Sequence, residues 1–126
     1  MINQQLVNDW GYEEFVIYLY LCVADADYNL KKNEIDLLLE KVMYTLGGSR
    51  NRYKSKLDKI FLEFTHHNDN DKIQVINEKA KTCKKSESEK IIEDLGNAMK
   101  QDHMHKSVEM IMFRFIRKTL NRISSD

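Results

Sequence analysis

Proline is absent from the 126 residues, and glycine occurs only four times. A sheet protein of this size needs more turn punctuation, so the shortage favours helices joined by short polar turns. Cysteine is scarce as well. Cys22 and Cys83 are too few and too far apart for the disulfide framework of a small secreted domain. No apolar run is long: the most extended, Phe15 to Ala24, falls far short of the ~20 residues that a bilayer span requires. Charge of one sign is also missing. Twenty basic and twenty acidic side chains cancel, so no global field draws the chain to nucleic acid or to an anionic membrane. Met1 to Gln5 carry neither the basic nor the apolar segment of a signal peptide. The expectation is a cytoplasmic protein.

What is present is a balanced amphipathic chain, 42% hydrophobic and 32% charged. That suffices for one core and a solvated surface, and the length suits one domain over 1–126. Leu6 and Trp10 suggest a short first helix. Phe15, Val16, Leu19 and Val23 recur at helical spacing in a long helix that begins near Gly11–Tyr12. Ile35, Leu38, Leu39, Val42 and Leu46 mark the next helix, which Gly47–Gly48 stops. Tyr53, Leu57, Ile60, Phe61 and Phe64 mark another, before a polar loop from His66 to Asp71. Ile73, Val75, Ile76 and Ala80 follow, then Ile91, Ile92, Leu95, Ala98 and Met99 after the capping run Ser86–Glu89. Val108, Ile111, Met112, Phe115 and Leu120 face inward from the last helix. The fold expected is all-α: a compact bundle of about six to seven helices with two weakly related helical-hairpin halves.

Asp25, Asp27, Asn29 and Glu34 surround the first long turn. Asp25 and Asp27 fall at the C-terminal end of one helix, and Glu34 falls in the first turns of the next. A tight antiparallel pair brings the three carboxylates to one end, where the outgoing helix also leaves free carbonyls. Oxygen ligands of this kind suit Ca²⁺ or Mg²⁺ better than Zn²⁺. The bland alternative uses the same residues. Asp27 or Asn29 caps the second helix, and Glu34 favours its positive end. Asp25, at a helix C-terminus, is the acid that the dipole does not explain.

Two known patterns compete here. As an EF-hand loop, Asp25, Asp27, Asn29 and Asp36 take positions one, three, five and twelve, but Leu30 stands where the sharp turn needs glycine. The second pattern fits better. Ala26-Asp27-Tyr28-Asn29-Leu30-Lys31-Lys32-Asn33-Glu34 resembles the Ala-Asp-Gly-x-(Ile/Leu)-x-x-x-Glu signature of the TerB-like family, named for tellurite resistance, with Tyr28 in place of glycine. The helix from Phe15 to Asp25 also looks like that family's first core helix. A later pair, Asp102 and Glu109, repeats the seven-residue spacing of Asp27 and Glu34. Ile91, Ile92 and Ala98 match Val16, Ile17 and Val23 at an offset of 75. Beyond the acids the stripes slip, since Leu39 and Val42 align with Arg114 and Arg117. The resemblance implies that Asp25, Asp27, Glu34, Asp102 and Glu109 converge on one divalent cation. It also implies a bacterial stress-response or membrane-associated context, in which the domain acts on a protein partner, a second copy or membrane-bound proteins.

Other residues carry weaker leads. His66–His67 and His103/His105 read as loop histidines, with a transition metal as the less favoured alternative. Cys22 reads as core filler and Cys83 as a solvent-facing or half-buried thiol whose lysine neighbours can lower its pKa. Lys79, Lys81, Lys84 and Lys85 form a basic patch without interleaved aromatics, which points away from nucleic acid. No glycine-rich phosphate loop, nucleophile elbow or His-Glu-x-x-His occurs, so a binding module is favoured over an enzyme.

Overall fold

The computed structural model describes residues 2–26, 40, 47, 49–101 and 107–123. Its described residues form an all-α bundle with no strand. The helices are α1 (Gln4–Asn8), α2 (Tyr12–Ala24), α3 (Arg50–Phe64), α4 (Asp69–Thr82), α5 (Lys85–Gln101) and α6 (Ser107–Ile123). The expected helix over Ile35 to Leu46 lies outside the described residues except for Glu40, which is helical and exposed. Among the described residues, no helix is long and apolar enough to cross a membrane.

α2 is the axis of the bundle. Nine consecutive residues, Phe15 to Val23, are buried, and α2 contacts each of α3, α4, α5 and α6. A helix apolar on every side is stable only when other helices cover every side. Two of its three tyrosines, Tyr18 and Tyr20, carry hydroxyls into that interior and find partners there. Tyr18 meets His67, and Tyr20 donates to the Ala98 carbonyl at 3.3 Å. At the other end the Tyr12 hydroxyl bonds Asp94 on α5.

The caps follow from local sequence. The Glu14 carboxylate accepts from the Gly11 N–H at 3.1 Å. Asn68 and Asp71 cap α4 reciprocally, each side chain accepting the other's backbone N–H. That pair starts α4 at Asp69, so the polar loop expected from His66 to Asp71 is shorter than its composition implied. Glu87 accepts from the Lys84 N–H, so α5 begins at Lys85, one residue ahead of the capping run. Gly47 takes φ +69°, the left-handed conformation that a helix stop favours.

The core contains most of the expected stripe residues, including Leu57, Ile60, Val75, Ile76, Ile91, Leu95 and Leu120. Three are corrected. Ile73, Val108 and Ile111 are exposed, Ile111 to 61%. α6 carries two overlapping apolar stripes, and packing selects the one through Glu109, Ile116, Thr119 and Leu120. Arg114 and Arg117 are exposed, in keeping with the slipped register.

Lys79 and Cys83 are corrected as well. Lys79 is buried rather than part of a solvated basic face, and its ammonium donates to the Trp10 carbonyl at 2.7 Å. It therefore ties the α1–α2 connection to α4. Cys83 is buried, with its thiol on the Lys79 carbonyl at 3.4 Å. Burial first, then Glu87, pushes that thiol's pKa up despite Lys79, opposite to the expected direction.

The choice of stripe on α6 is directly measurable. Leu120→Ala should lower the unfolding free energy by about 2–5 kcal/mol, whereas Ile111→Ala should change it by no more than about 0.5 kcal/mol, both read from urea unfolding.

Candidate functional site at the C-terminal end of α2

α2 ends at Ala24, with Asp25 as its C-cap residue. Around it stand the start of α4 and the first turns of α6. Two concavities meet here and share Asp25, Asp69 and Lys72. One, of about 460 Å³, is also lined by Phe61, Phe64 and His67. The other, of about 310 Å³, is floored by Cys22, Ile76, Met112 and Phe115, with Ile73 and Ile111 at its walls.

Asp25 faces Lys72, with 3.8 Å between Lys72 Nζ and a carboxylate oxygen. Lys72 is buried, and its ammonium lies 4.6 Å from the centre of the Phe64 ring. A buried ammonium is costly unless a charge and polarisable surroundings offset the lost hydration. Asp25 and Phe64 supply both. The carboxylate left unexplained by the helix dipole thus has a protein cation beside it.

Behind this pair runs a buried polar chain. The backbone N–H of Asn3 donates to Glu63 Oε2 at 2.7 Å. The same oxygen lies 2.7 Å from His67 Nε2, and His67 Nδ1 lies 2.7 Å from the Tyr18 hydroxyl. A carboxylate only accepts, so Nε2 carries a proton, and in the neutral ring Nδ1 accepts from Tyr18. His67 therefore lies in the loop, as its polar neighbours implied, but is a buried structural residue there. Burial alone raises the Glu63 carboxyl, but the Asn3 amide and His67 outweigh it and hold it below the ordinary range. Burial, then the neighbouring Cys22, raises the Tyr18 hydroxyl. Burial likewise pushes the Cys22 thiol up to about 12, so it stays protonated at neutral pH, as a core filler should.

Of the five expected metal ligands, Asp25 and Glu109 are described, and Asp27, Glu34 and Asp102 lie outside the described residues. So do His103, His105 and the TerB-like signature beyond Ala26. The fold brings the end of α2 and the beginning of α6 to one place: Asp25 and Ala26 line the same groove as Ile111 and Met112. Glu109 is buried in the first turn of α6. Among the described residues, no three His, Cys, Asp or Glu side chains gather closely enough to hold a metal ion. Glu63 and Lys72 were not singled out from sequence, and His67 was read as a loop histidine without these buried partners. The Glu63–His67 spacing of four is a visible helical-pair signal; nothing local marks Lys72.

No protein-family model, no curated protein and no solved structure matches this chain.

The chain through Glu63 sets an acid-side pH dependence. The folded carboxyl titrates below its ordinary value of 4.5, so as pH falls the unfolded chain takes up the proton first. Its stabilisation is complete above that value and is lost as pH drops toward the folded value. Glu63→Gln should therefore flatten the fall in stability below about pH 4.5. A variant curve parallel to the parent's, measured by thermal unfolding across pH, would contradict this.

Proposed function

We propose that this chain is a helical interaction module that holds an amphipathic helix of a protein partner in the groove at the α2–α4–α6 end. The observation that carries the reading is the groove itself: an open, apolar-floored concavity of about 310 Å³ with Ile73 and Ile111 exposed at its walls. Helix-in-groove recognition uses an apolar floor for spaced anchor side chains and charged rims for orientation. Asp25, Asp69 and Lys72 provide such a rim. The polar groups behind it, Tyr18, His67 and Glu63, are bonded to one another and so serve as architecture. The Ala26-to-Glu34 likeness to the TerB-like signature agrees with an interaction role and supports a bacterial stress-response setting.

A second reading adds a divalent cation at this end, Ca²⁺ or Mg²⁺ in preference to Zn²⁺. What favours it is the meeting of Asp25 with the start of α6, which carries Glu109. Such an ion enters beside the Lys72 ammonium, so Lys72 swings away or the ion binds weakly.

Each reading has its own measurement. An apolar fluorescent dye should bind the native protein, and Ile111→Asp should reduce its fluorescence several-fold while leaving the melting temperature within a few degrees. Undiminished dye binding by that variant removes the groove from consideration. For the cation, the melting midpoint after EDTA treatment should climb with added Ca²⁺ or Mg²⁺, because only the folded state binds. A midpoint unmoved at millimolar ion removes the metal.

A further inference from the structure

The outward face of α6 differs from the chain's average. The only acid on this helix, Glu109, is buried. Arg114, Lys118 and Arg122 are exposed, spaced by four so that they share a stripe with Ile111. Arg117 is exposed on the same helix. Val108 and Ile111, 40% and 61% exposed, stand at the N-terminal end of this stripe. A chain of zero net charge has thus gathered cations on one exposed helix face and left isoleucine and valine beside them.

We propose that this face docks the protein on an anionic lipid surface. Guanidinium and ammonium groups pair with headgroup phosphates, while Val108 and Ile111 enter the headgroup–acyl boundary. Three observations select this occupant. Arg114, Lys118 and Arg122 are exposed and stand outside the groove lining, so a broad surface reaches all three at once; the proposed partner helix belongs in the groove, whose edge Ile111 forms. Nucleic acid rewards cations but gains nothing from exposed aliphatic side chains, and this face carries no fully exposed aromatic ring for base stacking. A second copy seated through α6 on α6 brings two cationic stripes together, which repel. Neutrality of the whole chain does not oppose the docking, because screening limits the surface to charges within about 8 Å at physiological salt.

Co-sedimentation with vesicles tests the idea. The probes are phosphatidylcholine vesicles containing phosphatidylglycerol and pure phosphatidylcholine vesicles. The protein should partition onto the anionic vesicles alone, and less so as salt rises. Each of Arg114→Gln, Lys118→Gln and Arg122→Gln should weaken partitioning by about fivefold. The triple variant should sediment as if lipid were absent. Ile111→Ser should weaken binding at unchanged charge. All four side chains are exposed, so melting curves should overlay the parent's. Failure to bind anionic vesicles at low salt overturns the proposal. So do equal binding to neutral vesicles, undiminished binding by the triple variant, and tighter binding to a soluble polyanion such as poly(U) or polyglutamate than to vesicles.

Discussion

The structure depends on the complete burial of α2. A helix apolar through nine successive positions cannot present any side to water, so the remaining long helices must surround it. Each buried large apolar side chain contributes on the order of 1.5–3 kcal/mol, which sets the scale of the core. The same burial forces the tyrosines to bring partners inward. Tyr18 does so by recruiting His67, which recruits Glu63, which in turn accepts from the backbone of Asn3. A hydrophobic requirement on one helix thus fixes the loop after α3 and the segment before α1.

The character of the C-terminal end of α2 follows from the same constraint. Where the helix stops, apolar residues give way to Asp25, and the surrounding elements have only partly closed over it. Lys72 reaches in from α4 with its ammonium against Phe64 and Asp25. Removing either charge leaves the other poorly solvated, so the pair is more than a surface ion pair of marginal value. Its positions on α2 and α4 tie two walls of the groove together.

The helical class and the extent of α2 were legible because an uninterrupted apolar run and an absence of proline leave few alternatives. The position of Asp25 at the helix end was legible too, from the cluster of short polar residues after Ala24. The facing of α6 was not. Its sequence satisfies two stripes, and only tertiary packing chose Ile116 over Ile111. The burial of His67 was not legible for a related reason: polar neighbours in sequence conceal a partner, Tyr18, that lies 49 residues away. Lys79 looked like one more lysine in a basic run, and its target, the Trp10 carbonyl, lies 69 residues back. Local periodicity reports what a segment can bury, and long-range pairing decides which polar group goes inside with it.

Asp25 and Lys72 act as a coupled pair that organises the groove. A double-mutant cycle with Asp25→Asn and Lys72→Met, read by urea unfolding, tests this most directly. The predicted coupling energy is about 1 kcal/mol or more, with each single change costing more stability than it does in the background of the other. Strictly additive effects would contradict it.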